Sequence, residues 1–437
     1  MKKFENFGFL KDYDAGIYKD LSSAEIQVKT NPQGASSALR QPFEDIVSII
    51  EKKNGHTDNK ELDLHDRINE ITKNGWIKNF NKPVNYINVF GKEKKASRLH
   101  FIRLLLNSSV HSKDKAKSNW PRVDTVNTMK ALQLLHTLSK KVFVGSSNDI
   151  QFDENYCPIG EYYIYDSYVP SDSRRSLCKR EYRGIRFDST ETEIIKYAVI
   201  REYDKKSAED DVFRLRNEKC FNEASKYSIG SAPAYMADTS AIKTEAGVDS
   251  YYICYSFKQE PHSLTNRIVE EMDYDAKLLF CKGLATCLSQ LHSADTPIYH
   301  RLLSSESIYV SNIRNNWIPY IIKFDCAKID AGDAVVTVFK YWEKAKERRD
   351  QRIEIYQPPE CKDGGAPDDI DWSKVDIYSL GMLMACIFAG DLTREVKDLR
   401  KLKNKGCSND ILSLIDDMVS DMPEVRPSID EVMERLA

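Results

Sequence analysis

The chain has 437 residues with 64 Lys and Arg against 67 Asp and Glu, a net charge of −3. That length predicts two domains, each able to bury its own core, and the near-neutral balance does not indicate nucleic acid as a partner. Ten scattered cysteines without paired metal spacing, and no leader or run of eighteen apolar residues, predict reduced thiols in a cytoplasmic protein with no metal centre and no membrane contact.

Residues 1–145 predict a helical bundle. Leu39, Phe43, Ile46, Val47 and Ile50 repeat at helical intervals, as do Leu64, Ile68 and Ile71. Asn31-Pro32 offers a cap and a first-turn proline for a second helix. A closing helix is expected over 125–143, with Ala131, Leu134, Leu135 and Leu138 on its apolar face. Arg103, Asn107 and His111 are four apart, so one helical face carries all three. Basic residues cluster at Lys92, Lys94, Lys95 and Arg98 and again over 340–352, and read as solvated faces.

Three stretches of this region resemble a known domain. They are Ala24-Glu25 with Asn31-Pro32, then Ala38-Leu39-Arg40-Gln41-Pro42-Phe43-Glu44, then Leu99-His100 through Arg103, Asn107 and His111. Together they resemble the N-terminal helical domain of bacterial type I restriction motor subunits, in or near the HEPN class. That resemblance implies a protein partner or a homodimer through this domain, and a setting in defence or stress response. It leaves two roles open for Arg103, Asn107 and His111. One is a ribonuclease site completed across a dimer, with His111 as acid or base and Arg103 steadying the phosphate. The other is a polar cluster that locks the bundle. HEPN ribonucleases place their arginine nearer the histidine, where this chain has Leu106.

A polar linker over 145–149 follows. Strands are expected over 161–168 and 181–187, and a third ends on Ile194-Ile195-Lys196-Tyr197-Ala198-Val199-Ile200-Arg201. Lys196 lies five residues before Arg201, so a period of two sends it to the opposite face. Glu218 belongs to the next helical stretch. The polar run 238–249 reads as an insertion, and Tyr251-Tyr252-Ile253-Cys254-Tyr255-Ser256 as a further strand. Leu284, Leu288 and Leu291 mark a buried helix. Next come Ile298-Tyr299-His300-Arg301-Leu302, four residues to Ser307, and Ile322-Lys323-Phe324-Asp325-Cys326-Ala327-Lys328. Tyr356-Gln357-Pro358-Pro359-Glu360, Val375-Asp376-Ile377-Tyr378-Ser379-Leu380-Gly381 and Pro423-Glu424-Val425-Arg426-Pro427 complete the series.

In that order these segments resemble a protein kinase over 155–437. The expected fold class is therefore α+β, an N-terminal helical bundle followed by a bilobal kinase-like fold. A small β-rich N-lobe would span 155–257 and a helical C-lobe 258–437. The resemblance makes Glu360, Asp376 and Arg426 structural residues. Glu360 and Arg426 would pair, and Asp376 would accept backbone hydrogen bonds beneath the His300-Arg301 loop. It also exposes what is missing. Leu302 stands where the catalytic base belongs and Ser307 where a metal ligand belongs. Arg201 replaces the phosphate-gripping lysine, with Glu218 its expected partner. The loop over 169–177 has no glycine to let backbone amides approach phosphate. In one register Lys323 replaces the metal-binding Asp; in another Asp325 is that Asp. Lys323 is then either a stand-in for magnesium or a surface or salt-bridged lysine. The run 341–351 looks like a charged helix without a Ser or Thr to phosphorylate.

The expectation is a pseudokinase with no intact catalytic set and no metal. It holds either no cofactor, or ATP or another nucleotide without magnesium. A divergent active kinase-fold transferase and a HEPN-type ribonuclease regulated by the kinase-like domain are the alternatives.

Overall fold

The computed structural model describes residues 5–56, 62–110, 119–145, 150–169, 178–189, 193–204, 238–294, 297–314, 316–328, 354–362, 370–396 and 398–437. The chain is mixed α+β, with helices leading and sheets in the middle. It divides into two compact units. One comprises Met1–Ser167, Tyr182–Ile194 and Ile242–Tyr252; the other comprises Tyr168–Glu181, Ile195–Ala241 and Ile253–Ala437.

The first unit opens with α1 (Ala15–Gln27), α2 (Pro32–Ala38), α3 (Arg40–Lys53) and α4 (Leu64–Lys73). Three of these starts are set by a short polar side chain that accepts from an otherwise orphaned helical N–H, whereas α3 follows α2 directly with Leu39 between them. Asp14 caps α1, Asn31 caps α2 with Pro32 beside it, and Asp63 caps α4. The apolar repeat of α3 is fully buried at Phe43, Ile46, Val47 and Ile50, against Ile68 and Ile71 of α4. α5 (Arg98–Val110) and α6 (Thr125–Ser139) add Leu99, Ile102, Leu105, Ala131, Leu135 and Leu138 to the same core. Leu134 is only partly buried against it.

One hairpin interrupts the expected all-helical unit. β1 (Pro83–Ile87) pairs antiparallel with β2 (Glu93–Ser97), from Pro83 opposite Ser97 to Ile87 opposite Glu93. The turn is fixed by Asn88, whose Oδ1 accepts from the backbone N–H of Phe90 at 3.1 Å and of Lys92 at 2.7 Å. Gly91 supplies the left-handed step with φ of 73°. The alternation Val84, Tyr86 toward α5 and Asn85, Ile87 outward was legible, but is too short to outweigh the helical periodicity around it.

β3 (Tyr163–Tyr168), β4 (Cys178–Phe187), β5 (Ile194–Asp204), β6 (Asp238–Ile242) and β7 (Ser250–Phe257) form a sheet of order β3-β4-β5-β7-β6. β6 corrects the reading of 238–249 as an insertion only. Beyond the sheet the second unit is mainly helical. In α8 (Tyr274–His292), Leu284, Leu288 and Leu291 are buried, as their spacing requires. β9 (Ile308–Ile313) and β10 (Asn316–Ile321) pair antiparallel, with β8 (His262–Ser263) along β9. α10 (Trp372–Ala389) is the core helix. Among the described residues it alone is long and apolar enough to cross a membrane, and 83 % of it is buried inside the fold. Gly381 brings it against α12 (Asn409–Met418): a Cβ there would lie 2.7 Å from the Met418 Cβ. (α7 is Asn266–Glu271, α9 Pro359–Lys362 and α11 Arg400–Lys403.)

A buried carboxyl ties the start of the first unit together. Glu25 Oε1 accepts from the Asn6 backbone at 3.0 Å and from Asn6 Nδ2, while Asn6 Oδ1 accepts from the Asp153 N–H at 2.7 Å. Burial raises Glu25 from 4.5 to about 7, against the opposing effect of the Asn6 donors. A carboxyl with a raised folded pKa favours the fold while protonated. That contribution is complete below about 4.5 and is lost as pH rises to about 7. Glu25→Gln keeps the acceptor and removes the titration. It is expected to add about 3 kcal/mol of stability at pH 8 and almost none at pH 4. Thermal melts at the two pH values decide this; the same gain at both would contradict it.

Candidate functional site

The centre of the site is the side chain of Arg201 on β5, which has no exposed surface. Its Nη1 donates to Asp325 Oδ2 at 2.9 Å, and its Nε lies 3.6 Å from Glu181 Oε2 on β4. Tyr203, two residues along the strand and so on the same face, donates to Asp325 Oδ1 at 2.8 Å. Glu181 Oε1 accepts from the hydroxyls of Tyr168 and Tyr309, which lie 2.9 Å from each other. Burial raises the pKa of Tyr203 well above its ordinary value, so it remains a donor. Neighbouring Cys178 is also pushed up, to about 11, first by burial, and stays a thiol.

One buried guanidinium thus faces two carboxylates, with tyrosine hydroxyls on the outer oxygens. The expected partner of Arg201, Glu218, lies outside the described residues. Glu181 was not singled out from the sequence, because nothing in β4 marks one carboxylate as inward-facing. Tyr203 was findable from its period-two relation to Arg201.

The other expected positions are occupied by packing and capping. Leu302 is partly buried against a cluster of Cys326, Cys361, Trp372 and Val375. Ser307 Oγ donates to the Ser304 carbonyl at 2.8 Å and accepts from the Ser304 N–H at 3.0 Å, closing a capping box over a short turn. Lys323 has a left-handed backbone, φ 68°, and its N–H donates to the Tyr255 hydroxyl at 3.1 Å. Its ammonium is 4.0 Å from Glu306 Oε2, with the side chain 12 % exposed. A salt-bridged lysine describes it better than a solvated one.

His300 and Arg301 are fully buried. Asp376 at the start of α10 accepts from the His300 N–H at 2.7 Å and the Arg301 N–H at 2.8 Å. His300 Nε2 donates to the Ile322 carbonyl at 3.0 Å, and burial lowers its pKa, so the ring is neutral. Arg301 holds φ of 62°, donates to the Cys326 carbonyl at 2.5 Å and lies over the Trp372 ring. Farther down, Arg426 grips Glu360 with both ends of its fork, at 2.6 and 2.9 Å.

In the first unit Arg103 and Asn107 lie on α5 and line a polar cleft of about 450 Å³ with Arg40, Ser48, Asp63 and Arg67. Arg103 is half-buried, and its Nε has no acceptor among the described residues. Arg67 in the same cleft is already neutralised by Glu51. His111 lies outside the described residues. Leu106 is buried in the core. Among the described residues no group of His, Cys, Asp and Glu is arranged to hold a metal.

No family model matches the chain, and no curated protein is significantly similar to it. The chemistry of the site must therefore be read from its own residues.

Removing the Arg201 cation leaves two carboxylates buried without it. Arg201→Met is expected to cost about 3–5 kcal/mol, and adding Asp325→Asn to that variant should recover part of the loss. Denaturant unfolding of the single and double variants checks this. An Arg201→Met protein as stable as the original would mean that the network carries no structural weight.

Proposed function

We propose that the chain is a catalytically defective kinase-like protein, a pseudokinase with regulatory or scaffolding work. Its kinase-like part is bilobal, and a HEPN-like helical domain in front of it assembles with a protein partner or a second copy of the chain. The observation that carries the proposal is the Asp325 carboxylate: both oxygens are committed, one to Arg201 and one to Tyr203. A magnesium ion on that carboxylate would have to share it with the Arg201 cation, 2.9 Å from Oδ2, and phosphate needs a cation that is not already neutralised. The Arg201 guanidinium already faces two carboxylates, so it has little positive charge to offer an entering phosphate. Displacing a buried partner would cost about 3–5 kcal/mol, two to four orders of magnitude in affinity.

The base and ligand positions support the same reading. Leu302 cannot take a proton, and the Ser307 hydroxyl is spent on its own turn. Phosphoryl transfer depends on positioning and charge neutralisation, and Leu302 and Ser307 supply neither. What remains is scaffold: Asp376 beneath the loop and the Glu360–Arg426 pair. A place in bacterial defence or stress response follows from the resemblance of the N-terminal domain and is an analogy.

Isothermal calorimetry with ATP, with and without magnesium, tests the proposal. No saturable binding is expected in either condition. Magnesium-dependent binding would overturn it in favour of a divergent active kinase using Asp325. Binding without magnesium would replace the pure scaffold with a nucleotide sensor, in which Lys323 exchanges Glu306 for phosphate.

Arg103 favours a second reading. A guanidinium short of one acceptor, in a polar cleft with Asn107, suits a phosphate. In a HEPN-type ribonuclease, cleavage of RNA by the wild-type protein would disappear in Arg103→Ala and in His111→Ala. No cleavage by the wild type would remove this reading.

A further inference from the structure

Between Trp76 and Arg98 the chain carries six Lys or Arg and a single acidic residue, in a protein whose net charge is −3. The fold concentrates this further. Lys130 of α6 donates to the Asn85 carbonyl on β1 at 2.7 Å, and Lys141, just past α6, donates to the Lys78 carbonyl at 2.8 Å. The Lys141 ammonium lies 5.6 Å, and the Arg98 guanidinium 5.9 Å, from the centre of the Phe80 ring. Lys141 is lowered from its ordinary pKa, first by burial and then by the charges of Arg98 and Lys82. Among the described residues no carboxylate pairs with any of these three. Cations far apart in sequence are thus crowded together against their mutual repulsion.

The hairpin above this base holds apolar side chains in solvent. Phe90 at the turn is 54 % exposed, with Val89 and Ile87 beside it. The turn is held in place by more than the strands. The Val89 N–H donates to the Trp120 carbonyl at 3.0 Å and the Arg122 N–H to the Ile87 carbonyl at 2.9 Å, in addition to the Asn88 bonds. Phe90 is therefore presented by a braced loop, with Lys92 next to it and Lys95 on the outer face of β2.

We propose that the β1–β2 hairpin and the cations at its base form a binding ridge for single-stranded nucleic acid. Phosphates would follow Lys92, Lys95 and Lys82 down to Arg98 and Lys141, and an unstacked base would lie on Phe90. The spread of the charge selects this polyanion over a lipid surface. Five-residue strands separate tip from base by about 17 Å. A bilayer would meet only the tip, whereas a strand lying along the hairpin meets every cation. The exposed ring selects single strands over duplex, whose bases are already stacked. This ridge is independent of the pseudokinase proposal, which stands or falls on nucleotide binding in the second unit.

The test is fluorescence anisotropy of the full chain with fluorescein-labelled single-stranded RNA and DNA oligonucleotides across a salt series. Lys92→Ala/Lys95→Ala is expected to weaken binding tenfold or more. It should also reduce the slope of log K against log salt by about 1.4, since each phosphate contact contributes about 0.7. Phe90→Ala should weaken binding about tenfold with the slope unchanged. Lys401→Ala/Lys403→Ala removes the same charge from exposed positions in the second unit and should leave affinity intact. Thermal melts verify that each variant is folded. The ridge is overturned if neither oligonucleotide binds at low salt, or if the control pair loses as much affinity as the hairpin pair. It is equally overturned if vesicles of phosphatidylserine and phosphatidylcholine bind while the oligonucleotides do not.

Discussion

A guanidinium with no exposed surface has to be neutralised where it lies. Moving an unpaired charge out of water costs far more than a domain's total stability, so geometry around Arg201 is not optional. Asp325 and Glu181 supply the counter-charge, and the Tyr203, Tyr168 and Tyr309 hydroxyls satisfy their remaining oxygens. The network draws on β3, β4, β5, β9 and the segment after β10. Those segments must keep their register for the charges to stay compensated. Such networks are worth much when complete and cost much when one member is lost.

The same economy appears in the loop from His300 to Ser307. Asp376 accepts two consecutive backbone N–H groups, and His300 and Arg301 are turned inward onto carbonyls. The left-handed φ of Arg301 is strain that these bonds hold in place. In the kinase-like proposal, residues that would have faced a substrate have been turned to internal uses. Leu302 packs and Ser307 caps. The loop keeps its supports while presenting no proton acceptor of its own at Leu302.

The first unit is governed by a different balance. Its helices are set by caps and by an apolar stripe that α3 shares with α4, α5 and α6. The polar groups that are buried with this core are paired inside it, as Glu25 is with Asn6 and Arg67 with Glu51. The hairpin between α4 and α5 departs from the helical pattern, and its base gathers Lys82, Arg98 and Lys141.

Local features were legible from the amino acids alone. The helix start at Asn31, the buried stripes of α3, α4 and α8, and the strand ending near Arg201 follow from capping chemistry and periodicity, which act over a few residues. So did the chemical muteness of Leu302, because it depends only on what a side chain is made of. The partners were not legible. Glu181 reaches Arg201 across a strand pairing, Asp325 reaches it from 124 residues along the chain, and Lys141 joins Arg98 and Lys82 from the far side of a helix. Periodicity says which face a residue occupies but not what is brought against that face. That depends on long-range packing, where burial cost selects one pairing among many carboxylates. Composition and spacing therefore determined the elements and the chemical nature of each side chain; only the tertiary structure decided that Arg201, Glu181 and Asp325 meet in one buried ion-pair network.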